Sequence, residues 1–284
     1  NSEMPPIFLK QYWALSQPLQ VNNESVFLLH DATVMHAMKV ALFATCIGDQ
    51  FFADACADSV RLLRHVGAEV SFPEGQTCCG QPAYNSGHRS EAQRVMEHTL
   101  DVFSGADYVV LPSGSCAGML RAVYPGLAAS GSLRAASEDM SARTYELSQF
   151  LVEVAGVDRL GDGLKGCRIA YHPGCHALRE LGVMSEPLSL LRGAGADVVS
   201  WTADRECCGF GGTFSAKLPE VSAAMADHKL DTLPMVDLVT SSDGGCLLQL
   251  SGRAERRGLA VPFQHLATLL WQGVTGEAGN GVEV

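Results

Sequence analysis

The sequence predicts an α/β protein made of two duplicated halves, each a parallel sheet with helical crossovers. One observation is internal similarity: at an offset of 129 residues Cys46, Cys78, Cys79 and Gly80 fall on Cys175, Cys207, Cys208 and Gly209, and at 130 Cys116 falls on Cys246. Lys39-Val40-Ala41 likewise meets Arg168-Ile169-Ala170, and Val70, Glu91 and Met96 meet Val199, Glu220 and Met225. Similarity at one fixed spacing marks a duplication. The other observation is that short apolar runs alternate with amphipathic ones, as in parallel strands joined by right-handed crossovers. Together these give two Rossmann-like halves with cysteine loops at the carboxyl ends of their strands.

Residues 1–37 lie outside the repeat and form an unassigned extension. The first half, 38–126, opens with KVALFATC (39–46), an apolar run that reads as a buried strand. Val60, Leu62, Leu63 and Val66 then mark a helix that Gly67 stops. AEVSF (68–72) is a second strand running into the Cys78-Cys79 loop, and an amphipathic helix spans about 90–103. DYVVLP (107–112) is a third strand leading to Cys116 and the helix GMLRAVY (118–124). Residues 127–166 read as a linker and connecting helix: an Ala/Ser/Gly-rich stretch, a helix near Thr144 to Val154 and a glycine-studded loop.

The second half, 167–272, repeats the pattern. RIAYHPGC is its first strand, a helix surrounds Pro187 to Arg192, and ADVVSW runs into the Cys207-Cys208 loop. A helix from Pro219 to about Leu230, the strand VDLVTS and a helix after Cys246 follow, and LAVPFQHL and ATLLWQ close the unit. The tail 273–284 holds too little apolar content to pack and reads as disordered.

Acidic residues outnumber basic ones by 31 to 20, for a formal charge of −11, so the overall field repels nucleic acid and anionic lipid. No run approaches the roughly 18 apolar residues of a transmembrane helix, and no export signal is evident, so a cytoplasmic location is expected. Ten cysteines in a reducing compartment point to metal or redox work rather than structural disulfides.

Eight of the ten obey the repeat. Cys56 faces Ser185 and Cys167 faces Met38, so these two read as ordinary packing. In an open parallel sheet the loops after the strands share one edge, where ligands bind. Cys46, Cys78, Cys79 and Cys116 should therefore converge, and so should Cys175, Cys207, Cys208 and Cys246, with helix N-termini favouring thiolate there. Four cysteines per half match the ligand count of an iron–sulfur cluster, and adjacent thiols can reach different irons. Structural zinc sites usually space paired ligands two to four residues apart, and no C-x-x-C occurs, so zinc is the alternative.

The pattern of a cysteine, 31 residues, C-C-G and a further cysteine 36 or 37 residues on, present twice, resembles the cysteine-rich CCG-domain family. Members include the heterodisulfide reductase B subunit, the iron–sulfur subunits of glycerol-3-phosphate and glycolate oxidases, and the lactate-utilisation protein A group. PEGQTCCGQPAYNSG, LPSGSCAGM, ARTYELSQFL, HPGCHALRELG and CCGFGGTFSAKLPEVSAAM look most like the last. The resemblance implies an iron–sulfur electron-transfer subunit of an oxidoreductase system that converts L-lactate to pyruvate. It implies as partners the other lactate-utilisation subunits, one with ferredoxin-like clusters. A heterodisulfide- or quinone-linked reductase subunit and a zinc-stabilised assembly subunit are the alternatives. Heterodisulfide-reductase domains end in C-x-x-C, whereas here Ser113 and Asp243 occupy the first of those positions. That departure favours an ordinary [4Fe–4S] cluster in each half, with Ser113 or Asp243 as a further oxygen ligand.

His172 and His176 flank Cys175, and His88 follows the first C-C-G loop. Each reads as a surface or capping histidine before it reads as a donor to a centre. GFGG (209–212) lacks the context of a phosphate loop and reads as backbone that approaches a cluster closely. RAERRG (253–258) reads as a solvated helix face ahead of a docking site for an acidic partner. No catalytic pocket is identifiable from the sequence.

Overall fold

The structure, a computed structural model, describes residues 38–277; the extension 1–37 and residues 278–284 lie outside the described residues. The repeat becomes two four-stranded parallel sheets. In the first, β1 (Lys39–Leu42), β2 (Glu69–Ser71), β3 (Tyr108–Leu111) and β4 (Thr144–Glu146) are ordered β2-β1-β3-β4. In the second, β5 (Arg168–Tyr171), β6 (Asp197–Val198), β7 (Leu238–Ser241) and β8 (Phe263–His265) are ordered β6-β5-β7-β8.

The central strands are apolar because both their faces are covered. Val40 and Leu42 of β1 point to one side, and Ala41 with the following Phe43 points to the other. On β5, Ile169 and Tyr171 face inward while Ala170 faces outward. The inward residues of both halves meet in one shared core with Leu62, Leu63, Phe150, Leu190, Leu266 and Leu270. Helix Ala53–His65 of the first half packs there against helix Leu266–Thr275 of the second, and Trp271 lies edge-on to His65 at 6.3 Å between ring centroids. Each outer face has its own core, Phe43, Met96, Phe103 and Tyr124 on one side and Trp201, Leu230 and Leu250 on the other.

Two expectations need correction. Residues 127–166 are not merely a linker, because they supply helix Gly131–Ala142, capped by Ser130, and strand β4. The helix expected from Thr144 begins only at Leu147. Thr144 and Tyr145 suit an extended chain beside β3, where the Tyr145 ring packs on Tyr108 and Phe150. Glu146 then starts the helix, its Oε2 accepting from the Ser148 and Gln149 N–H groups at 2.7 and 3.2 Å. The tail, too, is ordered at its start: helix Leu266–Thr275 runs past residue 273, and Gly163 N–H donates to the Gly273 carbonyl at 3.0 Å. The remainder of that tail, from 278, lies outside the described residues.

Glu146 Oε1 is buried without a hydrogen-bond partner, and Tyr171 Oη and Ser242 Oγ, also buried, meet only each other. Burial lifts the Glu146 carboxyl from the usual 4.5 to about 7. The folded state therefore holds this proton more tightly than the unfolded chain. That contribution is fully present below about pH 4.5 and is lost as pH rises through about 7. Glu146→Gln should remove the loss, so that the variant gains on the native chain by up to ~3 kcal/mol between pH 4.5 and 8. Denaturant titrations at the two pH values measure it; the same pH dependence in both proteins would rule out this ionisation as the cause.

Candidate metal centres

The first centre forms where β1, β2 and β3 end. Cys46 opens the short helix Cys46–Phe51, whose N-cap Thr45 accepts from Gly48 N–H at 3.0 Å. Cys78 and Cys79 lie in the loop after β2, just before helix Gln81–Asn85, and Cys116 lies in helix Gly114–Gly118 after β3. The sulfurs of Cys46 and Cys78 stand 3.8 Å apart, those of Cys79 and Cys116 3.4 Å, and Gly80 N–H points at Cys78 Sγ at 3.4 Å. Gly80 adopts φ 82°, which turns the chain out of the C-C pair at little cost only for glycine.

The second centre repeats this plan. Cys208 and Cys246 sulfurs are 3.1 Å apart, and Gly209 N–H and Phe210 N–H point at Cys207 and Cys208 sulfurs at 3.4 and 3.5 Å. Gly209 has φ 86°, and a Cβ there would sit 2.5 Å from the Ser222 carbonyl oxygen, so the loop lies flat on helix Pro219–Asp231. The GFGG backbone thus does approach the thiols, as its composition suggested.

Each set of thiols is electrostatically frustrated. Cys78 is drawn down to about 3 because Cys46 and Cys79 donate S–H to it, and Cys207 to about 2 because Cys175 and Cys208 do the same. The donors are pushed the other way, Cys46 and Cys79 in one half, Cys175 and Cys208 in the other, by those same bonds and by burial. One thiolate per set is comfortable, and further ionisation needs a cation.

Ser113 and Asp243, equivalent positions of the two halves, face each other. Ser113 Oγ donates to Asp243 Oδ1 at 3.0 Å, Ser115 N–H donates to the same oxygen at 2.8 Å, and Cys116 N–H donates to Ser113 Oγ at 3.3 Å. Both are nearly fully buried, Ser113 at 5% exposure and Asp243 at 4%. On the other side, Asp243 is pressed so closely on Gly174 that any Cβ there would overlap Oδ2.

The histidines divide. His88 is exposed, and His176 is half-buried with Nδ1 2.8 Å from Glu180. His172, expected at the surface or in a cap, is fully buried; neither ring nitrogen makes a regular hydrogen bond, and the Asp204 carbonyl lies beside the ring. Burial, and then the nearby Lys229 ammonium, push it down to about 3, so it is a neutral imidazole. It stands with Cys208 and Cys246 in a trio whose ligand atoms lie within 4.8 Å of one another. Lys229, also fully buried, donates to the Ala203 and Asp204 carbonyls, caps the Trp201 ring at 4.2 Å, and is lowered to about 8 by burial. Sequence reasoning missed Lys229 altogether. The signal was available: at the repeat offset His172, Trp201 and Lys229 replace Phe43, Phe72 and Leu100.

Cys56 packs with Ala44 and Phe72, its thiol raised to about 12 by burial, and Cys167 lies against the shared core. Arg253 and Arg257 are tied to Asp227, at 2.5 and 3.3 Å, with a further bridge from Arg257 to Asp231 at 2.6 Å. Among the described residues no helix is long and apolar enough to cross a membrane.

The family model for the CCG cysteine-rich domain matches this chain twice, over residues 40–121 and 169–251, and so takes in all eight converging cysteines. Lactate utilization protein A from Geobacillus sp. (strain WCH70) is 43% identical over 236 residues, 82% of this chain and 99% of the relative. The proteins of the same name from Oceanobacillus iheyensis and Geobacillus kaustophilus are each 44% identical over 237 residues, 82% of this chain and 96% and 98% of theirs. The chain belongs to the cysteine-rich CCG-domain family, in its lactate utilization protein A group. Glutamate racemase from Thermus thermophilus, a solved structure, superposes over 84% of this chain and 78% of its own at 16% identity and a TM-score of 0.33, too slight a likeness to bear on function.

In this CCG protein the matched segments stop before β4 and β8, so the repeat unit of the fold is one strand longer than the family domain. The donor set fits a multinuclear thiolate-bound centre. Four thiols from three loops converge in each half, backbone N–H groups point at sulfur, and the raised thiols call for positive charge. Cys79→Ser or Cys208→Ser should lower the metal bound per chain by emptying its own half, whereas Cys56→Ser and Cys167→Ser should leave it unchanged. Metal analysis after anaerobic purification decides; equal loss from all four would mean that Cys56 and Cys167 also serve the centres. Gly174→Ala should push Asp243 off Ser113 and cost about 1–3 kcal/mol, read as a lowered Tm; an unchanged Tm would show that this contact is slack.

Proposed function

We propose that the chain is the electron-transfer subunit of a system that oxidises L-lactate to pyruvate, with one iron–sulfur centre, of the [4Fe–4S] type, in each half. The observation that carries this reading is the pair of equivalent four-thiol sets joined by a short polar bridge. Cys116 N–H donates to Ser113 Oγ, Ser113 Oγ donates to Asp243, and the Asp243 carbonyl accepts from Cys246 N–H at 3.0 Å. Cys46, Cys78, Cys79 and Cys116 would hold one centre and Cys175, Cys207, Cys208 and Cys246 the other. Such centres, when bound, take up and release electrons singly, which suits a reaction that yields an electron pair.

The lactate assignment follows the names of the relatives. The chain's own residues supply thiolates, helix N-termini and N–H groups, all of which favour an anionic centre. Ser113 and Asp243 serve as the bridge between the halves, and either would be a further oxygen ligand only on giving up that bond. The partners would be the other lactate-utilisation subunits, one of them carrying ferredoxin-like clusters, and the complex would work in the cytoplasm.

The test has two steps. Chain purified anaerobically should contain iron and acid-labile sulfide; zinc at about one per half without sulfide would leave only a structural role. Reconstituted with its neighbours, the chain should lose its cluster absorption on addition of L-lactate. Bleaching by a thiol or a quinol but not by lactate would assign it to a heterodisulfide- or quinone-linked reductase instead.

A further inference from the structure

We propose that the imidazole of His172 is a ligand of the second centre, which makes that centre a mixed thiolate–imidazole site and the first an all-thiolate one. The proposal rests on the reading of the eight cysteines as metal ligands, and it assigns a different donor set to each half. Three observations support it. His172 sits at the carboxyl end of β5, on the outward face with Ala170, and is fully buried; neither ring nitrogen makes a regular hydrogen bond, and the Asp204 carbonyl lies beside the ring. A carbonyl can satisfy only the N–H of a neutral imidazole, so the other ring nitrogen keeps a buried lone pair that calls for a cation. Its ligand nitrogen lies within 4.8 Å of the Cys208 and Cys246 sulfurs, close enough for the three to hold one metal ion.

The first half shows what the position looks like without that role. There Phe43 is stacked on Phe103 at 5.1 Å, an ordinary apolar contact. In the second half the ring is held instead by Trp201, edge-on at 6.4 Å, and Trp201 is fixed by hydrogen bonds to the Lys229 carbonyl and Thr232 Oγ1 at 3.2 and 3.0 Å. Lys229 in turn spans the Ala203 and Asp204 carbonyls and the Trp201 ring. Three substitutions have thus replaced apolar side chains by a supported nitrogen donor.

The consequence is directional. Four irons take four terminal ligands, so His172 would stand in for one of the four thiolates. A neutral nitrogen in place of a thiolate raises the potential of an iron–sulfur centre, and the Lys229 charge acts in the same sense. Electrons entering the first centre would settle on the second, which makes the second half the exit side.

The full chain, loaded with 57Fe, is compared with His172→Phe, which copies the first half, and with His176→Phe as a control. Mössbauer spectra of the unmodified chain should show a minority iron with a larger isomer shift and quadrupole splitting than the thiolate-bound irons. That component should vanish in His172→Phe and persist in His176→Phe, and the more positive of two reduction midpoints should move down in His172→Phe alone. A uniform thiolate spectrum in the unmodified chain, or a component that survives His172→Phe, overturns the proposal. Should His172→Phe fail to fold, the unmodified chain labelled with 15N-histidine decides by pulsed EPR, through the presence or absence of a directly bound nitrogen. A chain that takes up zinc and no sulfide sinks the electron-transfer reading instead. The ligand assignment is then read with cobalt(II), whose visible bands should shift in His172→Phe and otherwise stay as they are.

Discussion

A buried carboxyl group is costly unless its oxygens are hydrogen-bonded, and in this fold that requirement ties the two halves together. Asp243 Oδ1 takes its bonds from Ser113 Oγ and Ser115 N–H, both in the other half. The same residues organise the cysteine helices: Ser113 accepts from Cys116 N–H, and the Asp243 carbonyl accepts from Cys246 and Leu247 N–H. The starts of two cysteine-bearing helices are therefore set against each other by one side chain. Bare backbone at Gly174, next to Cys175, is what lets that side chain in. A third cysteine loop thus depends on the same contact.

Around this join each half solves a problem of charge. Several thiolates crowded in a low-dielectric interior repel one another, and a protein without a cation can keep few of them. Here the easy thiolates are Cys78 and Cys207, each accepting from its cysteine neighbours and from the N–H of a glycine that follows the C-C pair. Helix starts at Cys46 and Cys116 add positive potential. The fold therefore prepares a demand for positive charge at both sheet edges and meets it only in part.

Much of this was legible in the sequence. The offset of 129 gave both halves, and the strand-ending runs at Leu42, Leu111, Tyr171 and Ser241 placed the cysteine loops at one edge of each sheet. What escaped were features that local pattern cannot carry. Strand β4 hid inside an apparent helix because Thr144 and Tyr145 are extended by pairing with Val109 and Val110, a tertiary effect. The contact of Ser113 with Asp243 depends on how two sheets pack and has no signature along the chain. His172 was visible as a residue but not as a buried one, since a histidine before a proline and a glycine ordinarily reads as exposed loop. Comparing the halves position by position, with Phe43 as the reference, is what would have exposed it.

The shared core has an implication for how the protein is made. The inner face of the first half is covered by helix Leu266–Thr275, the last helix among the described residues. During synthesis, helix Ala53–His65 and the underside of β1 wait with apolar surface uncovered until more than two hundred further residues have been added. Neither half is thus an independent folding unit, despite the duplication. Until the second half folds against it, the first half keeps that apolar face open to water.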